Sequence, residues 1–512
     1  ESNMATPVIE IIVEIAVLRN DRYSTNIMDS CVRKLGDYCG TRGIVLEEIK
    51  GGLWNSLWEF MKMYPPVASD DLLTLPPDVP RRPVPTDVIP ALMGIEQGTI
   101  RGSEIFLGLD MFTAKFVYKD AGVSGEAENI LITGMTGSGK SNLCKSMTLN
   151  FSFNGYTVLA LDRDGEYRQL VDAYKGHLID FEAGNYFDTF EIADLTGDPS
   201  IDGTLYNEAQ AATMAIFNIL CADPNCSAMT ANEKSMFSDI VSEMDKNLGI
   251  DALDPKTWYK SRSEKYSYRE FYKTLCSRLQ DPVYQRKYGH DHQIFINKLS
   301  PYFSETGNQR GRFQHAISVN QIYELIDSNC PMIDFNLHLP ESEQTPSAET
   351  LIKMISASHL MSIILSHNKA RKQFTLCIVE ELNRMLNNQQ ALEIASAMAT
   401  GNRKKNAVSI FLSNTPAQFV DGDKNLQNIK ANMNYLLFGR FTSGLDKMAE
   451  IAAAFDLKNS ITHLERICTK DDHKYQFLLH DANHNDTTVI KAFNPPEYDY
   501  LFHTRDKKDI AS

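Results

Sequence analysis

The chain lacks three features that would place it in other classes of protein. No stretch approaches about 20 uninterrupted apolar residues, so the sequence predicts no membrane-spanning helix. Its nine cysteines include no CxxC pair, and an odd, scattered set is typical of reduced thiols in a cytosolic protein. Positive charge is scarce: 51 Lys and Arg stand against 66 Asp and Glu, a net charge of -15. That balance argues against a broad basic face for nucleic acid, although it leaves a local basic patch open, and it gives no sign of attraction to an anionic membrane.

The composition that remains is that of a globular protein with more than one domain. Hydrophobic residues make up 43% and charged residues 23% of the 512 residues, which leaves room for a large core. Residues 1–64 predict part of an N-terminal α+β domain. Residues 65–99 contain the run Pro80-Arg81-Arg82-Pro83-Val84-Pro85. Because proline cannot continue a helix or a central strand, this stretch predicts an extended linker.

The rest of the chain predicts an α/β core with one insertion. Residues 100–202 and 326–512 alternate strand-like apolar runs with helix-like segments, as in a parallel sheet with helices on both faces. Residues 203–325 show helical patterns and no clear strand, so they predict an all-α insertion subdomain. The candidate strands of the core are 104–108, 114–118, 129–133, 157–161, 177–181, 331–335, 374–379, 407–412, 434–438 and 475–479.

A phosphate-binding loop follows the first of the strongly apolar strands. Gly134-Met135-Thr136-Gly137-Ser138-Gly139-Lys140-Ser141 fits G-x-x-x-x-G-K-[ST], with an apolar run before it and a helical pattern from Asn142 onward. The glycines let backbone N–H groups curl toward phosphate oxygens, and the helix N-terminus adds its positive end. Lys140 is expected to reach the β- and γ-phosphates, and the Ser141 hydroxyl to ligate Mg²⁺. The sequence thus predicts that residues 134–142 bind ATP with Mg²⁺.

An acidic pair ends a second buried strand. Phe374-Thr375-Leu376-Cys377-Ile378-Val379 runs into Glu380 and Glu381, and ligands of a parallel sheet bind at the carboxyl ends of its strands. Glu380 is predicted to hold Mg²⁺, and Glu381 to polarise the attacking water. The alternative is that both are simply acidic residues at the start of a helix.

Polar residues end two further strands. Asp162 follows Leu159-Ala160-Leu161, so it and Glu166 are expected near the γ-phosphate, unless they belong to an ordinary Asp/Gly turn. Asn414 follows the strand at 407–412 and is the candidate sensor of the γ-phosphate.

Two arginines are candidates for stabilising charge at a neighbouring subunit's nucleotide. Arg403 precedes the strand at 407–412, and Arg440 follows the strand at 434–438. An arginine supplied from another chain is a known device of nucleotide hydrolysis. For each of them, a solvated surface charge is an equally open reading.

Together these segments resemble the cytoplasmic traffic ATPases of bacterial type IV secretion and conjugation systems, the CagE/TrbE/VirB family of the FtsK/HerA branch. The resemblance covers roughly residues 100–495. In two places the chain departs from the family pattern: Glu380 stands where the family has Asp, and Asn414 where it has Gln. The segments that carry the resemblance are ILITGMTGSGKSNLCKSM around Lys140, LALDRDGEY at 159–167, PMIDFNLHLP at 331–340 and RKKNAVSIFLSNTPAQF at 403–419.

The resemblance implies a fold, a cofactor set and partners. The fold is a RecA-like P-loop sheet flanked by helices, with an all-α subdomain at the insertion and a partial N-terminal domain. The activity is ATP hydrolysis with Mg²⁺, in a dimer or hexamer. The partners are subunits of the secretion channel, and the location is the cytoplasmic face of the inner membrane, with peripheral contact.

Two other functions remain open at this stage. A DNA translocase of the coupling-protein or HerA kind would share every phosphate-site residue and would need basic loops in a ring pore, for which the segment KNLQNIK at 424–430 is the nearest candidate. A nucleotide-bound scaffold that hardly hydrolyses ATP would agree with the altered acidic pair.

Overall fold

A computed structural model gives the architecture of the chain in two compact units, residues 1–96 and 97–512. The structure describes residues 8–11, 82–85, 104–111, 115–120, 128–163, 165–182, 185–222, 228–313, 315–339, 347–380, 382, 389–414, 416–420, 424–441, 448–457, 460–469, 475–492 and 499–502.

The first unit is described only where two short strands pair. Strand β1 (Val8–Ile11) runs antiparallel to β2 (Arg82–Pro85). Proline is tolerated in an edge strand, and each strand of a two-stranded pair is an edge. The proline run therefore contains a strand where the sequence predicted an unpaired linker. The rest of the predicted N-terminal domain and linker lies outside the described residues.

The second unit is built on a large sheet. Among the described residues it has 11 strands in the order β4-β3-β15-β14-β13-β5-β12-β11-β6-β10-β7. The strands are β3 (Ile105–Asp110), β4 (Phe116–Lys119), β5 (Asn129–Thr133), β6 (Thr157–Asp162), β7 (His177–Asp180), β10 (Met332–Asn336), β11 (Thr375–Val379), β12 (Ala407–Ser413), β13 (Met433–Phe438), β14 (Gln476–Asp481) and β15 (Asp486–Lys491). A separate parallel pair joins β8 (Asn185–Phe187) to β9 (His315–Ile317).

The sheet is parallel from β13 to β7 and antiparallel from β13 to β4. The parallel part confirms the predicted α/β fold, and its strands carry continuous apolar runs because both of their faces are covered. All ten predicted strands are present. The sequence missed β15, whose first residues, Asp486 and Thr487, are polar and only half-buried.

Helices cover both faces of the sheet, and further helices form the insertion. They are α1 (Lys140–Phe153), α2 (Arg168–Tyr174), α3 (Pro199–Asp202), α4 (Leu205–Cys221), α5 (Ala231–Leu248), α6 (Tyr268–Ser277), α7 (Pro282–Phe303), α8 (Val319–Asp327), α9 (Ala348–Ala370), α10 (Gln389–Gly401), α11 (Lys424–Ala431), α12 (Met448–Ala454), α13 (Ile461–Thr469) and α14 (Asp499–Phe502). Helices α1 and α2 pack with one face of the strands, and α9 and α10 pack with the other.

Helix α9 is apolar on nearly every side. It is the one helix in the described part of the chain that is long and apolar enough to cross a membrane, a possibility the sequence had not predicted. Its most apolar window is 78% buried inside the protein, where it packs between the sheet and α4. This is the environment of a core helix in a large domain.

The insertion is helical over most of its length. Helix α5 begins with a capping box, in which the Thr230 hydroxyl accepts from Glu233 N–H and the Glu233 carboxylate accepts from Thr230 N–H. The core of the insertion is aromatic, and the ring centres of Phe217 and Phe271 are 4.7 Å apart. The prediction of no strand between residues 203 and 325 was wrong at β9, which is only three residues long.

Candidate nucleotide site

The loop between β5 and α1 is held by hydrogen bonds from both sides. Gly134 N–H donates to the carbonyl of Ser413, at the end of β12, over 3.2 Å. Met135 N–H donates to the carbonyl of Arg440, just beyond β13, over 2.6 Å. The carbonyl of Ser138 accepts from Tyr475 N–H over 3.1 Å. Three strand ends therefore fix the shape of the loop.

The glycines of the loop are required by its conformation. Gly137 and Gly139 have φ values of 82° and 98°, in the region that favours glycine. A Cβ on Gly139 would stand 2.4 Å from Cδ1 of Tyr475, whereas one on Gly137 would meet no atom within 4 Å. The loop is thus packed at Gly139 and open at Gly137, where a ligand can approach the backbone.

The first turn of α1 offers its N–H groups without competition from the chain's own acids. Among the described residues, no side chain caps this helix and no acidic residue lies in its first turn. A helix N-terminus of this kind attracts anions. Lys140 is buried with its Nζ 3.1 Å from the carbonyl of Met135, so its ammonium lies directly over the loop. Ser141 and Asn142 are half-buried beside it.

Two carboxylates stand at strand ends close to this loop. Asp162 ends β6 and is wholly buried, and its Oδ2 accepts from Tyr167 N–H over 3.0 Å. Glu380 follows β11, and its N–H donates to the carbonyl of Leu161 over 3.2 Å. Only β12 separates β11 from β5, so the ends of β11 and β5 are about 10 Å apart. A metal ion held between a phosphate and a carboxylate can span that distance.

The electrostatic state of Glu380 follows from its surroundings. Burial, and then the nearby charges of Asp162 and Glu166, raise the pKa of Glu380 well above its usual range. Lys145, a wholly buried lysine of α1, opposes this rise. On β10, Asp334 is also wholly buried, and burial and the charge of Asp162 raise its pKa in the same way.

This cluster suits a divalent cation. Glu380 is half-buried as a residue, but its Oε1 is enclosed and has no hydrogen-bond partner in the part of the chain that the structure describes. An enclosed carboxylate oxygen beside other acids gains most from a positive charge. Oxygen ligands of this kind, with the Ser141 hydroxyl, match what Mg²⁺ prefers.

Two further predicted residues, Asn414 and Glu166, lie at the same edge of the sheet. Asn414 is half-buried and directly follows Ser413, whose carbonyl holds the P-loop. Glu166 is half-buried in the turn before α2, close enough to Glu380 to raise its pKa. Glu381 lies outside the described residues, so its predicted role as the water-activating base stays a prediction.

The two candidate arginines lie at opposite edges of the sheet. Arg403 belongs to the 3-10 turn Asn402–Lys405, before β12. Since β12 is parallel to β5, the backbone of this turn lies at the edge away from the P-loop of its own chain. Arg440 instead contacts the P-loop of its own chain through its carbonyl.

Three residues beside this site were not predicted to take part in it: Lys145, Asp334 and Tyr475. Lys145 is five residues beyond Lys140, and its Nζ lies 5.7 Å from the centre of the Tyr167 ring. For Asp334, the sequence offered one signal: a single acid stands within an otherwise apolar strand. Nothing in the sequence linked Tyr475 to the P-loop.

Comparisons with known proteins agree with the P-loop fold. Residues 127–355 match the family model described as the central domain of helicase HerA. The structure of VirB4 of Thermoanaerobacter pseudethanolicus superposes with a TM-score of 0.57 and 17% sequence identity, over 79% of this chain and 100% of that one. Residues 127–355 are therefore similar to the HerA central domain, and the chain has the P-loop fold seen in VirB4.

A weaker similarity is to the plasmid coupling protein TrwB in complex with ADP and Mg²⁺. It has a TM-score of 0.48 and 13% identity, over 80% of this chain and 92% of that one. No curated protein sequence matches the chain.

Proposed function

We propose that the chain is an ATP-hydrolysing motor of a bacterial conjugation or type IV secretion apparatus, which drives substrate transfer or assembly. The proposal includes ATP and Mg²⁺ as ligands. It also includes a dimer or hexamer, other channel subunits as partners, and a position at the cytoplasmic face of the inner membrane with peripheral contact.

One observation carries the ATPase part of this proposal. The phosphate-binding loop, the buried Asp162 and the half-buried Glu380 lie at the same edge of one parallel sheet. Strand β11, which Glu380 follows, is two strand spacings from β5. A loop that cradles phosphates needs no such acids if it only binds an anion. Acids within reach of a Mg²⁺ are needed when a phosphoryl group is to be transferred.

Each residue of the site has a defined task in this account. The N–H groups of residues 137–141 bind the phosphate oxygens, and Lys140 places its ammonium against the β- and γ-phosphates. Ser141 and Glu380 would hold Mg²⁺, which neutralises charge on the phosphates when bound. Glu381 accepts the proton of the attacking water, and Asn414 positions that water or the γ-phosphate.

The secretion part is supported by the fold shared with VirB4 and by the sequence segments that resemble the traffic ATPases. The acidic net charge of -15 suits a motor that contacts proteins rather than one that encloses DNA in a basic channel.

A DNA translocase is the second candidate, favoured by the match of residues 127–355 to a helicase domain. A translocase would need basic loops, and the candidate loop KNLQNIK at 424–430 forms helix α11 instead. Leu426 and Ile429 of α11 are buried, and Lys430 lies 5.9 Å from the centre of the Phe455 ring. Of the two lysines in this segment, Lys430 is half-buried against that ring and Lys424 is exposed, so the segment offers DNA little exposed positive charge.

The test separates the oligomeric and monomeric forms of the protein by size. Phosphate release from ATP is then measured in each fraction with Mg²⁺, with and without double-stranded DNA. The motor predicts release that Lys140→Ala abolishes, that rises in the oligomeric fraction and that DNA leaves unchanged. Strong stimulation by DNA, together with strand movement, would favour the translocase. Background release from the wild type, Lys140→Ala and Glu381→Gln alike, with partner binding intact in the wild type, would favour a scaffold.

A further inference from the structure

Tyr475 lies against the P-loop on the side away from the acidic residues. In the sheet, β12, β11 and β6 follow β5 on one side, and β13 and β14 follow it on the other. Tyr475 immediately precedes β14, which runs antiparallel to β13. It therefore stands at the edge where the parallel strands end, which is the edge of the P-loop.

The backbone of Tyr475 is fixed by two hydrogen bonds. Its N–H donates to the carbonyl of Ser138 over 3.1 Å, and its carbonyl accepts from Ala492 N–H over 2.8 Å. Its φ of 66° is unusual for a residue with a side chain. The residue is thus tied at once to the P-loop and to the chain just beyond β15.

The ring of Tyr475 rests on the loop itself. Its Cδ1 is the atom that a Cβ on Gly139 would meet at 2.4 Å, so the ring packs directly on the backbone just before Lys140. The residue is only half-buried, and its buried part packs on the core that α1 shares with the sheet. Part of a firmly held aromatic side chain is therefore accessible beside the phosphate-binding loop.

The position of the acids decides which way a bound nucleotide points. The γ-phosphate and its metal must lie toward Asp162 and Glu380, on the β12 side of the loop. The phosphates occupy the loop, so the ribose and base extend to the opposite side, over β13 and β14. Among the described residues on that side, Tyr475 is a half-buried aromatic residue that touches the loop.

We propose that Tyr475 is the base-side contact of this site, a ring on which the base of a bound nucleoside di- or triphosphate stacks. The proposal rests on the nucleotide site proposed above and deepens it by naming the residue that contacts the base, a group that a bare polyphosphate lacks. Stacking on an aromatic ring is tolerant of base identity because every base has a π face. Tyr475 therefore contributes affinity for adenine and guanine nucleotides alike.

The experiment compares ligands that have and lack a base. Binding of ADP, GDP and inorganic tripolyphosphate, each with Mg²⁺, is measured by calorimetry on the full chain and on Tyr475→Phe, Tyr475→Leu and Tyr475→Ala. The leucine variant keeps apolar bulk against Gly139 without a ring. We expect Tyr475→Leu and Tyr475→Ala to bind ADP and GDP about tenfold more weakly, the effect of losing one stacked ring. Tripolyphosphate binding stays unchanged, and Tyr475→Phe behaves as the wild type.

Two results would overturn the base contact. If Tyr475→Leu weakened ADP and tripolyphosphate equally, the ring would only support the loop. If it weakened neither, the base would lie elsewhere.

Failure of the nucleotide site itself looks different. In that case the wild type would bind neither ADP nor tripolyphosphate, or Lys140→Ala would bind both as the wild type does. Either result removes the site and the base contact together, whatever the tyrosine variants do.

Discussion

Lys405, in the turn before β12, forms an ion pair with Glu208 of α4, with 3.2 Å between Nζ and Oε1. Ser362 of α9 joins the pair, since Lys405 Nζ donates to its Oγ over 2.6 Å and that hydroxyl donates to Glu208. The first long helix of the insertion is therefore tied to the turn that leads into β12, the strand that ends beside the P-loop at Ser413.

Removing either charge should loosen this link. Lys405→Met and Glu208→Gln are each expected to lower stability by about 1 kcal/mol, because both side chains are largely shielded from water. The double variant should cost much less than the sum of the two single variants. Thermal unfolding of the four proteins measures this coupling. Strictly additive shifts in the midpoint would mean that the pair contributes no stability.

Gly139→Ala should abolish nucleotide binding. A Cβ there meets the Tyr475 ring at 2.4 Å and forces a side chain into a φ of 98°, so the loop has to move away from its N–H positions. Gly401→Ala is the matched control, because Gly401 ends a helix, has no positive φ and has no atom within 4 Å of the added Cβ. Calorimetry with ADP and Mg²⁺ should detect binding to the control alone. Normal affinity in Gly139→Ala would show that the loop conformation is wrong.

Glu380→Gln should raise thermal stability and lower the rate of phosphate release. The buried carboxyl has a pKa raised by burial and by neighbouring acids, so a neutral amide of the same shape removes an unfavourable charge. We expect a higher thermal midpoint and the loss of most of the Mg²⁺-dependent phosphate release. Nucleotide binding without Mg²⁺ should persist. A variant that was less stable and fully active would contradict the assigned role of Glu380.

Asp188→Asn should stabilise the protein in a pH-dependent way. Burial, and then the charge of Glu191, raise the pKa of Asp188 to about 8, against about 3.9 in an unfolded chain. The folded state thus keeps a proton that the unfolded state releases, so the contribution of Asp188 to stability is present below pH 4 and is lost as the pH rises toward 8.

Asparagine cannot ionise, and its side-chain oxygen can still accept from Phe190 N–H, as Asp188 Oδ1 does. The gain of the variant over the wild type should be near zero at pH 4 and reach the order of a few kcal/mol at pH 8. Thermal midpoints across this range provide the measurement. An equal gain at both ends of the range would rule out titration of Asp188 as the cause.

The parts of the fold that could be predicted from sequence are those with a strong local signal. Buried parallel strands such as β6 and β12 are continuous apolar runs, and the P-loop has fixed spacing because its backbone must curl around phosphate. Strands β8 and β9 gave no such signal, because each is three residues long and is defined by its partner.

The candidate site was predictable only where its residues adjoin a strand end or a motif. Asp162, Glu380 and Asn414 follow apolar strands, so their common edge could be inferred. Tyr475 meets Gly139 only because β14 lies beside β13, and that pairing depends on the assembled sheet. Asp334 was hidden because its burial next to Asp162 comes from the neighbouring positions of β10 and β6.

The most direct test of the account is a crystal structure of the chain with Mg²⁺ and the ADP–beryllium fluoride complex, a mimic of ATP. The account predicts the phosphates against the N–H groups of residues 137–141, the metal between the Ser141 hydroxyl and Glu380, and the base over Tyr475. A nucleotide bound elsewhere, or a metal that faces away from both Asp162 and Glu380, would contradict it.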